Sequence, residues 1–172
     1  MSLATDLLAQ ATHLAQVDKG KPKQANLRRS ISVAYYALFH LLIGAGASCA
    51  GSKLNAAGRA TVMRSFEHAN MKTVCSSYAK ATAAGGIPAR LTPLLTFPIE
   101  PALKNVAEIF VELQEQRHLA DYDTSAKFDR LEVTALIQET TTAFNHWQVI
   151  KAKSNAKIFL MDLLLRKSWL RT

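Results

Sequence analysis

The apolar positions of this chain recur at steps of three and four residues, a period that predicts helices rather than strands. A short amphipathic helix is predicted over residues 3–17, and the stretch around Pro22 ends it. From Gln24 the pattern indicates a longer helix with one strongly apolar face. That face is formed by Leu27, Ile31, Ala34, Leu38, Leu41 and Leu42.

The long helix is expected to end at the glycines in positions 44, 46 and 51. Two weaker helical patterns follow within residues 55–83. Residues 85–101 contain four of the five prolines and a Gly-Gly pair, so this segment is predicted to be a long loop. A long ordered loop often has a function.

The helical pattern resumes at Ala102 and stops in the turn-like sequence DYDTS. Another long helix is predicted from about Phe128, and a basic amphipathic helix is predicted within residues 151–172. Sustained alternation of apolar and polar residues is absent from the sequence. The predicted fold class is therefore all-α, an antiparallel bundle of about five to seven helices.

The composition favours a single globular domain, since 49% of the 172 residues are apolar and 20% are charged. We expect a helical domain over residues 1–150, with the helix of residues 151–172 packed on it or on a second protomer. The two cysteines show no metal-binding or disulfide spacing. We find neither a signal peptide nor a run of ~18 apolar residues. The expectations are a cytoplasmic location, no membrane span, no metal and no cofactor.

The net charge of +8 lies at the two ends of the chain. Residues 31–150 have ten Lys or Arg and ten Asp or Glu, whereas residues 1–30 carry a net +3 and residues 151–172 a net +5. Basic ends of this kind attract phosphates. They are equally typical of solvated termini that bind nothing.

Four polar residues of the second predicted helix share one face, because they follow at steps of three, four and four. They are Arg29, Ser32, Tyr36 and His40. A stripe of this kind lines ligand sites between the helices of a bundle. The structural alternative is a Tyr36 ring packed in the core, with Arg29 and His40 in solvent.

A second candidate lies near the end of a later helix, where Arg117 and Asp121 are four residues apart and predict an ion pair across one turn. In a sheltered cleft, Asp121 would orient the guanidinium toward a phosphate or another anion. His118 is suited to hydrogen bonding or proton transfer near neutral pH. The alternative is an ordinary surface ion pair, which contributes little to stability.

The two segments together resemble the HEPN (higher eukaryote and prokaryote nucleotide-binding) family. The sequence RRSISVAYYALFHLL is similar to the HEPN helix with a Ser-x-x-x-Tyr-Tyr-Ala-x-Phe-like pattern, and QRHLADYD is similar to its second signature. The likeness covers roughly residues 5–150. It implies a HEPN-like helical bundle and a homodimer. Together with the polar stripe, it predicts a site for nucleotide or RNA made of Arg29, Ser32, Tyr36, His40, Arg117, Asp121 and Tyr122.

Many HEPN proteins are metal-independent ribonucleases with an R-x4-6-H motif. Arg117 matches the arginine and His118 the polar residue after it, but no histidine follows at Tyr122, Asp123 or Thr124. The chain instead resembles the subgroup that ends in Arg-x-x-Ala-Asp-Tyr. Members often act with a nucleotidyltransferase partner in toxin–antitoxin or defence systems.

Three functions stay open on this basis. The first is binding of nucleotide or RNA, which needs only the arginine, the tyrosines and basic surroundings. The second is a metal-independent endoribonuclease with Arg117, His118 and Tyr122 as catalytic residues; its metal-free mechanism needs groups that move protons. The third is a non-catalytic helical interaction module in which the polar cluster is structural.

Overall fold

The computed structural model describes residues 2–51 and 53–169, and within them the protein is a helical bundle without β-strands. Its seven α-helices confirm the all-α fold class and fall within the expected number. They are α1 (Leu3–Gln16), α2 (Gln24–Ala50), α3 (Ala56–Arg64), α4 (His68–Ala79), α5 (Pro101–Tyr122), α6 (Arg130–Ile150) and α7 (Ser154–Trp169).

The chain divides into two compact units. The first contains the chain as far as Leu41 together with Ile109–Asn145, and the second contains Leu42–Glu108 together with the chain from His146 onward. The residues of α2, α5 and α6 are thus shared between the units. The predicted domain of residues 1–150 stays a prediction.

The first unit is held together by buried apolar side chains and by hydrogen bonds between distant segments. Its largest fully buried side chains include Leu27, Ile31, Tyr35, Leu38 and Phe110. The hydroxyl of Ser30 donates to the carbonyl of Ala11 at 2.7 Å and so ties α2 to α1. These contacts fix the half of α2 that contains the predicted polar stripe.

Helix α6 begins at Arg130, two residues later than the pattern predicts. The side chain of Gln24 occupies both backbone groups of Phe128, because it accepts from the amide at 3.0 Å and donates to the carbonyl at 2.7 Å. Asp129 then caps the helix through the amide of Glu132 at 2.9 Å. Contact with a distant side chain therefore moves this helix start.

The glycines expected to end α2 do not end it at 44 or 46, because the helix continues to Ala50. Gly46 lies inside the helix where the ring of Phe66 approaches the backbone so closely that a Cβ would collide with it. Nothing lies within 4 Å of a Cβ built on Gly44. A packing requirement, rather than a turn, accounts for Gly46.

The second unit packs α4 against α7 and holds the long loop. The rings of Tyr78 and Phe159 meet edge to face with centroids 4.9 Å apart. Residues 85–101 form no α-helix before Pro101, as predicted, and include a short 3-10 turn at Thr92–Leu94. Buried Asn155 fixes this loop by bonding both backbone groups of Thr96, at 2.8 and 2.7 Å.

The sequence predicts no membrane span, but helix α2 is long and apolar enough to form one. It contains an 18-residue window with a mean hydropathy of 1.5, which by length and composition is sufficient for a span. Of that window, 56% is buried inside the protein. A buried core helix passes the same test, so α2 is weak evidence for a membrane span.

Candidate functional site

Two polar pairs predicted from separate helices meet in the first unit. Arg117 and Asp121 form an ion pair, with Arg117 Nε 2.6 Å from Asp121 Oδ2. The Ser32 hydroxyl donates to Asp121 Oδ1 at 2.5 Å, and Arg117 Nη2 donates to the Tyr36 hydroxyl at 3.1 Å. Four-residue spacing places each pair on one face of its helix, and packing brings the two faces together. We call Ser32, Tyr36, Arg117, Asp121 and Tyr122 the Arg117 cluster.

Three tyrosine rings surround the guanidinium of Arg117. Its carbon lies 5.8 Å from the ring centroid of Tyr35, 5.6 Å from that of Tyr36 and 5.7 Å from that of Tyr122. These distances suit cation–π attraction. Tyr35 is fully buried, whereas Tyr122 is 64% exposed. The arginine is therefore bounded by a buried ring on one side and by an accessible ring on another.

The electrostatics of the Arg117 cluster keep its arginine charged. Burial lowers the pKa of Arg117, but the neighbouring Tyr36, Asp121, Tyr122 and Tyr35 together raise it above its ordinary value. The Arg117 side chain is 22% exposed. It is thus a permanent cation that still reaches solvent.

His118 and Arg117 both contact the ring of Tyr122. A step of one residue separates Arg117 and His118 by about a hundred degrees around the helix. The His118 ring nevertheless contacts Tyr122, with centroids 5.1 Å apart, and Tyr122 also contacts Arg117. His118 and Tyr122 are both exposed. Arg117 and His118 therefore meet the same accessible ring.

Two of the predicted ligand residues lie apart from the Arg117 cluster. Arg29 is exposed and makes no hydrogen bond or ion pair with the cluster among the contacts of the described residues. His40 is half-buried with its ring against Phe39 at 5.6 Å, and burial lowers the pKa of His40. The exposed position of Arg29 agrees with the structural alternative, whereas half-buried His40 is not in solvent as that alternative expects. Their roles as ligand residues stay predictions.

The preceding arginine, Arg28, makes the contacts that the sequence did not reveal. Its guanidinium donates to the backbone carbonyls of Ala120 at 2.8 Å, Asp123 at 2.9 Å and Ala126 at 2.6 Å. It also lies 5.5 Å from the ring centroid of Phe128. Arg28 thus satisfies carbonyls at the end of α5, next to Asp121 and Tyr122. The only sequence signal was the Arg-Arg pair, which does not tell the two arginines apart.

Comparison of the chain with protein-family models, with curated proteins and with solved structures found no match. Membership of the HEPN family therefore stays a prediction. The described residues contain no group of three or more His, Cys, Asp or Glu side chains placed to hold a metal ion.

Proposed function

We propose that this chain is a HEPN-like protein that binds the phosphates of a nucleotide or RNA at the Arg117 cluster. One observation carries the proposal: Arg117 is oriented by Asp121 at 2.6 Å while it contacts the exposed ring of Tyr122. An oriented guanidinium beside an accessible aromatic ring offers one group for a phosphate and another for a base.

The hydrogen bonds of Arg117 support an anionic ligand. A guanidinium has five N–H donors. One on Nη2 donates to the Tyr36 hydroxyl, while Nε lies in ion-pair contact with Asp121. The remaining donors are available for bidentate binding of a phosphate. Because Ser32 donates to the same carboxylate, part of its charge is already satisfied, which leaves Arg117 more attractive to an anion.

The exposed tyrosine supports a nucleic-acid ligand rather than a simple anion. Stacking of a base on an aromatic side chain contributes roughly 1–3 kcal/mol. Tyr122 has the exposure that stacking needs. Following the HEPN resemblance, the proposal includes a cytoplasmic homodimer that acts with a nucleotidyltransferase partner in a toxin–antitoxin or defence system.

The test is binding of fluorescently labelled single-stranded RNA, followed by anisotropy in metal-free buffer over a range of salt concentrations. We expect binding that weakens with salt and falls about tenfold or more in Arg117→Gln. Arg64→Gln is the matched control, because Arg64 is exposed on α3 and lies outside the cluster. Equal losses in the two variants would mean general charge attraction rather than a site.

Tyr122 provides a second variant that does not endanger the fold, since its side chain is largely exposed. Stacking requires the ring but not the hydroxyl, so Tyr122→Phe should retain affinity whereas Tyr122→Ala should lose roughly 1–3 kcal/mol of binding free energy. If the unmodified protein shows no salt-sensitive binding of RNA, the proposal fails. The third function, a non-catalytic interaction module, would then be favoured.

The second candidate function is a metal-independent endoribonuclease, and the contact of His118 with Tyr122 favours it. In this reaction the RNA 2′-hydroxyl loses its proton to a base and attacks the phosphorus. The bond to the 5′ oxygen breaks, and that oxygen takes a proton. Incubation of labelled RNA with the protein in the presence of EDTA should then give products with 2′,3′-cyclic phosphate ends. The variant His118→Gln should form no such products but should still bind RNA. Binding without cleavage would reject this candidate.

A further inference from the structure

A groove of about 460 Å³ lies in the first unit, apart from the Arg117 cluster. One wall is the face of α5 from Glu112 to Leu119, and the other is the face of α6 from Glu132 to Glu139. Each wall covers seven residue steps, or roughly 10 Å of helix. The α5–α6 groove is therefore long enough for two turns of a third helix.

The floor of the α5–α6 groove is apolar. It is lined by the buried side chains of Ile31, Val133 and Leu136 and by the half-buried ring of Phe128. Leu119 is 39% exposed at the edge. Ala135 lines the groove with a small, exposed side chain, which lets another backbone approach closely. A groove that combines apolar side chains with a small residue on one wall can receive an amphipathic helix.

The rim of the groove is acidic although the chain as a whole is basic. It carries the carboxylates of Glu112, Glu132 and Glu139 and the single ammonium of Lys127, three negative charges against one positive. Burial raises the pKa of Glu112, and the neighbouring charges of Glu139 and Glu115 raise it further. The ion pairs found among the described residues involve none of the three rim carboxylates.

The acidic rim favours a basic ligand, and the apolar floor favours a ligand with an apolar face. We propose that the α5–α6 groove docks a basic amphipathic helix of a partner protein. Its apolar side chains, at steps of three or four residues, would pack on Leu119, Phe128 and Ala135. Its Lys or Arg residues would pair with Glu112 and Glu139. The approaching cations relieve the repulsion between these two carboxylates. This inference does not depend on the nucleic-acid proposal.

The experiment uses the full chain and a labelled synthetic helix with leucines on one face and lysines beside them. Fluorescence anisotropy measures its affinity. We expect binding to weaken at least tenfold in the double variant Glu112→Gln and Glu139→Gln. Ala135→Arg should weaken it equally, because an arginine fills the groove and repels the peptide. Ala135 is exposed on α6, so the variant should keep its helical circular dichroism.

The matched protein control is the double variant Asp6→Asn and Glu108→Gln. It changes the net charge by the same amount on exposed residues outside the groove, and we expect its affinity to stay within about twofold of the unmodified protein. Two control peptides replace the lysines with glutamate or the leucines with serine. Both should fail to bind.

Several results would overturn the proposal. Equal affinity for all protein variants would place the peptide elsewhere. Binding of the serine peptide, or of spermine with the same dependence on Glu112 and Glu139, would make the groove a site for any polycation. A dimer of the unmodified chain that Ala135→Arg converts to a monomer in sedimentation would assign the groove to a second copy.

Discussion

The Ser32 hydroxyl donates to Asp121 Oδ1 at 2.5 Å and joins two segments that lie 89 residues apart. Because Oδ2 of the same carboxylate is 2.6 Å from Arg117 Nε, Ser32 also fixes the group that orients the arginine. The fold and the candidate site therefore share one hydrogen bond. A change at Ser32 should be visible in stability as well as in ligand binding.

Ser32→Ala is expected to lower the free energy of unfolding by about 1 kcal/mol, since the Asp121 carboxylate loses the hydrogen bond from the buried hydroxyl. Urea unfolding of Ser32→Ala, Asp121→Ala and the double variant measures the coupling between the two side chains. If the hydrogen bond is formed, the two effects should be non-additive by about 1 kcal/mol. Simple additivity would contradict the contact.

Arg28 and Arg29 are neighbours in sequence but should differ sharply in their effect on stability. Arg28→Ala removes the hydrogen bonds to the carbonyls of Ala120, Asp123, Thr124 and Ala126 and should cost about 2 kcal/mol. Arg29→Ala is the control, because Arg29 is exposed, and should change stability by less than about 0.5 kcal/mol.

Hydrogen exchange locates the effect of Arg28. In Arg28→Ala the amides of residues 120–128 should exchange faster than in the unmodified protein, while those of α1 should change little. Similar stability losses in Arg28→Ala and Arg29→Ala would be incompatible with the contacts described for Arg28.

Gly44 and Gly46 give a second matched pair within one helix. Alanine is favoured over glycine in helices by about 1 kcal/mol, and Gly44→Ala should gain up to that amount because the space is open. Gly46→Ala should instead destabilise, since its Cβ collides with the ring of Phe66. Thermal or urea unfolding distinguishes the two signs. A stabilising Gly46→Ala would show that Phe66 does not pack there.

The buried carboxyl of Asp162 predicts a dependence of stability on pH. Its Oδ2 lies 2.6 Å from Arg166 Nη2, and the residue is fully buried. Burial raises the pKa of Asp162 from 3.8 to about 6, because the cost of burying its charge exceeds the lowering by Arg166. The folded state therefore holds this proton more tightly than the unfolded state.

The contribution of Asp162 to stability should thus be complete below about pH 4, fall as the pH rises to about 6, and stay constant above that. Urea unfolding of the unmodified protein and of Asp162→Asn, measured at intervals from pH 4 to 7, gives the difference that isolates this group. That difference should decrease on the order of 3 kcal/mol across the interval. A difference that grows with pH would show that the ion pair with Arg166 dominates over burial.

Sequence alone determined the features that depend on near neighbours. The step of three and four residues located the helices, the prolines of residues 85–101 located the loop, and DYDTS marked the end of α5. The spacing of four also predicted the pairing of Arg117 with Asp121, because residues four apart lie on the same side of a helix.

Tertiary structure decided every feature that depends on a partner far along the chain. Helical periodicity does not tell whether Arg28 or Arg29 faces the end of α5, because that depends on how the helix is rotated against segments about 90–100 residues away. From the sequence, Gly46 is predicted to end the helix, whereas in the structure it makes room for the ring of Phe66. The Arg117 cluster and the α5–α6 groove likewise exist only where separate helices meet, since packing rather than local sequence sets which faces come together.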